Sequence, residues 1–438
     1  MQVAIWNQLQ ENEKVSILSR PIACSQDDIK QKVSHIIERV KMHGDQELLK
    51  LTREIDGASL EAVAVTPQEF ADAKRKVSGK VIESLNFARS QISIYHQAQI
   101  PENLVVETYP GIVCERHARA IQRVGLYVPG GTAPLVSTLL MLAVPAKIAG
   151  CPIRILCTPP NINGVVNPAI LVAAELCGIQ QVYKLGGAQA IAAMAYGTES
   201  VPKVDKIFGP GNTWVTAAKQ LVSQDFRGAS IDLPAGPSEL MVIADKNAVS
   251  DYVAADLLSQ AEHDINSQVM LLTTCQHLQK KIAISLAELS LKLPRKAITQ
   301  KSLANSWAIV VDTIEQAIGI SNEYAPEHLL LHLSNPRQLM PAIQNAGAVF
   351  LGAWTPETLG DYITGSNHVL PTYGYARSYS GLSLTDFMKF ISFQTVTQQG
   401  LRAVGKMAKQ LADLEGLDAH AQAVTLRLKK EIIVNECN

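Results

Sequence analysis

The stretch QVYKLGGAQAIAAMAYG, Gln181 to Gly197, decides the fold. A short strand-forming run meets a glycine pair and passes at once into an alanine-rich run, in the order strand, tight turn, helix. The same order recurs on either side. IRILCTPP (Ile153–Pro160) leads to AILVAAELCGI (Ala169–Ile179), and VDKIFGPGN (Val204–Asn212) leads to TWVTAAKQLVS (Thr213–Ser223). Parallel strands need a crossover between them, usually a helix, so this series predicts a parallel, doubly wound sheet. A second series starts at Glu239: LMVIAD, then VAADLLSQAEH, then QVMLLTTC, AIVVDT and AVFLGA with helices between them. The chain therefore reads as α/β, with two Rossmann-like doubly wound parallel-sheet domains. Helical periods in Asp27–Leu51 and Pro67–Gln97 predict surface helices. Beyond about Ser380, AVGKMAKQLADLEGL and AHAQAVTLRLKKEII read as a small helical appendage. The expected division is an N-terminal arm at 1–23, a first α/β domain from 24–127 and 238–381, a second at 128–237, and a C-terminal helical appendage at 382–438.

Composition narrows the function. The chain has 438 residues, 47% apolar and 18% charged, the balance of a compact soluble protein with several domains. A net charge of −1 and no basic run longer than KRK exclude a phosphate-backbone partner, so nucleic acid is not expected. MQVAIWNQLQENEK lacks the order of a signal peptide, and export is not expected. The most apolar segment, Ala133–Gly150, is broken by Ser137, Thr138, Pro145 and Lys147 and reads as a buried helix, not a membrane span. Seven cysteines without a CxxC pair fit a reducing compartment, which points to the cytoplasm.

Three glycine turns in the first series are places for an anionic ligand, because bare N–H groups at a helix start attract negative charge. They are YVPGGTAP (Tyr127–Pro134), LGGAQA (Leu185–Ala190) and FGPGN (Phe208–Asn212), two of them with an amide side chain, Gln189 or Asn212, at the helix start. None matches G-x-G-x-x-G, and any one of them can simply turn a strand into a helix.

Polar chemistry concentrates in NEYAPEHLLLHL, Asn322 to Leu333. On a helix, His328 and His332 at i and i+4 would share a face and could share a metal. On a strand, favoured by Pro326 and the short apolar run, they would lie too far apart. In either case Glu327 beside His328 offers a carboxylate and an imidazole for proton transfer near neutral pH. Gln260 and His263, at i and i+3, share one helical turn, and LGDYITGSNHVLPT and EGLDAHAQAV add Asp361, His368, Glu415 and His420. A set of nitrogen and oxygen donors without thiolate suits a catalytic or substrate-holding metal better than a structural zinc, although each histidine alone also fits an ordinary hydrogen-bonded role.

YVPGG, LGGAQA, FGPGN, AGPSE, LLSQAEH, EYAPEHL, LGDY, GSNHVLPT, GLS and EGLDAHAQAV stand in the order and spacing of histidinol dehydrogenase, which the chain resembles from about Asp27 to Lys430. The resemblance implies a homodimer that performs the last step of histidine biosynthesis. L-Histidinol is oxidised through L-histidinaldehyde to L-histidine, with NAD as acceptor twice and one zinc per subunit. It implies zinc ligation by Gln260, His263, Asp361 and His420, completed by the imidazole and amino nitrogens of the substrate. Ser238, His368 and Glu415 would line the substrate pocket with those residues and His328. Tyr127, Gln189 and Asn212 would contact NAD, placing the zinc on the first α/β domain and NAD on the second. The C-terminal appendage would reach the partner subunit and supply Glu415 and His420 to a shared site. His328 would act as general base and Glu327 would activate water, leaving His332 without a role.

PTYGYAR departs from the small residues usual after HVLPT, with Tyr373 and Tyr375 at the pocket rim. Rival readings are a thiohemiacetal route through Cys114 or Cys151, a small-molecule binding protein without turnover, and a zinc hydrolase.

Overall fold

The structure, a computed structural model, describes residues 1–20, 26–130, 134–234 and 236–429. The 23/24 boundary, the centre of the first glycine turn, Ala235 of AGPSE and the chain beyond Lys429 lie outside the described residues. In chain order the strands are β1 (Gln2–Ile5), β2 (Leu104–Tyr109), β3 (Ile112–Ala120), β4 (Arg123–Tyr127), β5 (Ile153–Thr158), β6 (Gln181–Lys184) and β7 (Lys206–Phe208). They continue as β8 (Ser230–Ile231), β9 (Glu239–Ala244), β10 (Gln268–Thr273), β11 (Trp307–Val310), β12 (His328–His332), β13 (Ala348–Leu351) and β14 (Met388–Val396). Two compact units result, Met1–Gln99 with Ile121–Phe387, and Ile100–Ala120 with Met388–Asn438.

The first unit holds both expected parallel sheets. One runs β6-β5-β4-β7-β8 and the other β1-β11-β10-β9-β12-β13. Numbered from its own first strand, each core reads 3-2-1-4-5, the dinucleotide-fold order, with a switch point between β4 and β7 in one and between β9 and β12 in the other. The sequence explains why these runs are strands. All six residues of β9 and of β10 are buried, as a sheet covered on both faces requires. Alternate residues serve opposite cores: Met241, Ile243, Leu329 and Leu331 pack on one side, Leu240, Val242 and Leu330 on the other. The apolar segment before Gly150 is the helix Val136–Ile148, buried from Thr138 to Ala146.

Four details depart from the sequence reading. The N-terminal arm is not only helical, because Gln2–Ile5 pairs with Trp307–Val310 as the edge of the larger sheet. Residues 26–97 do not join the 238–381 sheet. Val33, Ile37, Val40, Leu48 and Leu51 share a core with Tyr127, Ile155 and Tyr183 of the other sheet, and Pro67–Lys76 and Gly79–Gln97 pack on its helices Pro168–Leu176 and Val136–Ile148. Residues 100–120 leave the first unit altogether as β2 and β3. Finally, the C-terminal region is not wholly helical: β14, whose MKFISFQTV carries several β-formers, pairs antiparallel with β3, and Gln398–Leu414 packs on Asp418–Lys429.

At the β4/β7 switch point, Gly209 has φ +123°, and a Cβ built there would stand 2.0 Å from the Tyr127 carbonyl oxygen. Its backbone is held from below: Gly209 N donates to Asp232 at 2.7 Å, and Lys219 Nζ donates to Gly209 O at 2.9 Å while pairing with Asp232. Gly209→Ala should therefore cost at least about 1–3 kcal/mol. A urea-unfolding midpoint equal to that of the parent protein would refute the close approach.

Candidate active site

NEYAPEHLLLHL resolves into a helix end, a bend and a strand. The helix Ile314–Tyr324 stops at Ala325, which is left-handed at φ 55°, Pro326 extends the chain, and β12 begins at His328. His328 and His332 thus stand at opposite ends of one strand and do not share a metal. The His332 ring instead accepts from Val249 N at 3.4 Å.

β9 runs beside β12, and the peptide groups of its first residue hold both members of the Glu327–His328 pair. Glu239 N donates to Glu327 Oε2 at 2.8 Å, and His328 Nδ1 lies 3.0 Å from Glu239 O. A carbonyl only accepts, so in neutral His328 the proton sits on Nδ1 and Nε2 keeps its lone pair. That Nε2 is buried without a hydrogen-bond partner among the described residues, 4.0 Å from Asp361 Oδ1. Glu327 Oε2 is 3.5 Å from His328 Nδ1.

Around this pair, buried acidic groups crowd together. The ligand atoms of His328, Glu357 and Asp361 lie within 4.8 Å of one another. Burial, then the neighbouring Glu357, pushes Asp361 up to about 9 and Asp256 to about 7. Burial also drives Glu327 well above the usual carboxylate range, eased by the Glu239 N–H and reinforced by the carboxylates of Glu239, Asp361 and Glu357. The imidazoles shift the other way. Burial takes His368 down to about 4, and local desolvation lowers His263, although that residue is exposed overall.

Of the expected metal donors, Gln260 and His263 come from the end of helix Ser250–Ala261 and the turn after it, and Asp361 from helix Glu357–Tyr362. The two helices are tied by Ser259 Oγ, which donates to Glu357 Oε2 at 2.8 Å. Gln260 Oε1 and Glu357 Oε1 are buried acceptors with no donor among the described residues. His368 Nδ1 donates to Asp361 O at 2.8 Å, and its Nε2 lies 3.1 Å from Thr138 Oγ1 on the helix that follows β4. Ser238, half-buried, precedes Glu239. Glu415 and His420 are exposed on the second unit.

Tyr127, Gln189 and Asn212 converge on one cleft of about 1570 Å³ at the carboxyl edge of the smaller sheet. The Tyr127 hydroxyl accepts from Gly187 N at 3.0 Å, and Asn212 Oδ1 caps its helix by accepting from Trp214 N and Val215 N. Gln189 Nε2 donates to Asp56 Oδ2 at 3.2 Å, and its Oε1 has no donor among the described residues.

The sequence reading gave no role to Asp56, Glu239, Asp256 or Glu357. Only Glu357 left a usable trace, standing four residues before Asp361 on one helix face. The rival nucleophile Cys151 is buried and its thiol is pushed up to about 11, which leaves it inert as a thiolate, and Cys114 lies on β3 in the second unit.

A family model described as histidinol dehydrogenase matches residues 20–428. The chain is 49% identical over 430 residues to the histidinol dehydrogenase of Vibrio vulnificus, covering 98% of this chain and 99% of that protein. It is 50% identical over 431 residues to that of Photobacterium profundum, covering 98% and 96%. A crystal structure of histidinol dehydrogenase from Elizabethkingia anophelis superposes with a TM-score of 0.94 at 45% identity, covering 98% of each chain.

Burial raises Asp56 to about 6 against an ordinary value of 3.8. Its charged form is therefore disfavoured in the fold. The penalty is absent below the unfolded pKa, grows as pH rises through the window from about 4 to 6, and is constant above it. Asp56→Asn should stabilise the ligand-free protein by about 1–2 kcal/mol at pH 7.5, with partial exposure discounted, and by nothing near pH 4. A gain independent of pH in denaturant titrations would count against this assignment.

Proposed function

The chain belongs to the histidinol dehydrogenase family, oxidoreductases of histidine biosynthesis, and on that premise we propose that it oxidises L-histidinol through L-histidinaldehyde to L-histidine. The observation that supports this most directly is the buried Nε2 of His328, without a hydrogen-bond partner among the described residues, whose lone pair is left bare by the Nδ1–H bond to Glu239.

In the alcohol step, His328 Nε2 takes the substrate hydroxyl proton, because an alcohol carbon releases hydride readily only as its oxygen loses that proton. In the aldehyde step, Glu327 takes a proton from water as the water oxygen adds to the aldehyde carbon, and the former carbonyl oxygen takes the proton that His328 Nε2 gained in the alcohol step, which leaves a neutral diol and His328 a base again. Burial makes the Glu327 carboxylate a stronger base than an exposed one. His328 then removes a proton from the resulting diol. Tyr127, Gln189 and Asn212 would hold NAD in their cleft, and it would supply the hydride acceptor for each step.

The donor set fits a divalent cation. Gln260 Oε1 is a buried acceptor lacking a donor among the described residues, and Asp361 is a carboxyl raised by burial and then by Glu357, which a cation would relieve. Gln260, His263 and Asp361 would hold zinc together with His420 of a second copy, one ion per subunit, and the zinc would orient the imidazole and amino nitrogens of the substrate. Glu415 would reach the pocket from that second copy beside Ser238 and His368. The exposure of Glu415 and His420 on the second unit suits a homodimer with shared sites. A cytoplasmic location fits the free cysteines, and among the described residues no helix is long and apolar enough to cross a membrane.

Glu327→Gln should slow oxidation of added L-histidinaldehyde by about 10²–10⁴-fold and the alcohol step much less. Equal aldehyde rates in the variant and the parent enzyme would remove Glu327 from the water step.

A further inference from the structure

Behind Glu327 and His328 stands an ion pair that no step of the reaction uses. The Glu239 carboxylate, 4% exposed, accepts from Arg20 Nε at 2.5 Å, from Arg20 Nη2 at 3.0 Å and from Tyr373 N at 3.0 Å. Arg20 Nη2 also donates to Tyr324 O at 2.8 Å and Ala325 O at 3.3 Å, and the guanidinium stacks 3.9 Å from the Tyr324 ring. One side chain from the N-terminal segment therefore ties the start of β9 to the left-handed bend that delivers Glu327. The planar fork satisfies the carboxylate and both carbonyls at once, which a lysine cannot do.

We propose that Arg20 and Glu239 are a positioning pair, which fixes the Glu239 peptide and through it both the Glu327 carboxyl and the His328 ring. The N-terminal segment thus completes the active site from behind. Tyr373 is part of the same clamp through its backbone N–H, and its ring lies against Gly236.

The proposal rests on the dehydrogenase reading, and the parent enzyme tests that first: no NADH from L-histidinol would sink the reading itself. With an active parent, Arg20→Met should lower kcat at least about tenfold for both L-histidinol and L-histidinaldehyde with KM within about twofold, and Arg20→Lys should recover part of it. Equal loss in both steps separates it from Glu327→Gln. A buried ion pair can often be replaced by apolar residues without loss of stability, so Arg20→Met/Glu239→Leu carries the test if the single variant fails to fold. Its melting temperature should return toward the parent value while kcat stays low. Recovery of kcat together with the melting temperature, or single variants whose kcat is unchanged, would overturn the proposal and leave the pair a purely structural one.

Discussion

Two hydrogen bonds to the peptide groups of one residue orient the Glu327–His328 pair. Glu239 N–H holds Glu327, and Glu239 C=O takes the Nδ1 proton of His328. Were that carbonyl turned away, His328 could adopt either tautomer and its reactive nitrogen would be undefined. The strand register sets the geometry: β9 and β12 are parallel neighbours, so their first residues arrive side by side at one sheet edge. From behind, Arg20 and the Tyr373 N–H grip the Glu239 carboxylate.

That edge gathers more acid than a folded chain keeps charged without help. Glu327, Glu357, Asp361 and Asp256 are desolvated within one cluster, and two of them are pushed to about 9 and about 7. Such a group is stable only with protons shared among the carboxyls or with a cation among them. The unfilled acceptors on Gln260, Glu357 and His328 point the same way. Near neutral pH, a cluster of this kind would release protons as a cation and a basic substrate arrive, coupling binding to the ionisation of Glu327.

Much of this was legible in the sequence where the signal is local. The strand–turn–helix series predicted both sheets because a buried parallel strand must be apolar throughout and must be followed by a crossover. Pro326 and the short run after it correctly favoured a strand for His328–His332 over a two-histidine helix face. The remote pairings were not legible: Gln2–Ile5 finds Trp307–Val310 across most of the chain, and Met388–Val396 finds Ile112–Ala120. Nor did helical periodicity reveal which sheet the helices of residues 26–97 cover. Arg20 and Asp56 escaped notice because a lone charged residue has no pattern until its partner is placed. The fold rule itself misleads on the larger sheet. Doubly wound sheets usually bind at their carboxyl edge, where the cleft lined by Tyr127, Gln189 and Asn212 lies, whereas Glu327 and His328 stand at the amino edge. Thr138 and His368 join the two edges by one hydrogen bond.

The central claim is that one site carries a bound alcohol through to the acid, with a metal that holds the substrate in place. The measurement that meets it most directly is the amount of NADH formed per L-histidinol consumed by the purified protein, before metal removal, after it, and after zinc is restored. The account predicts two per substrate, lost with the metal and regained with zinc. One per substrate, or two that persist without metal, would contradict it.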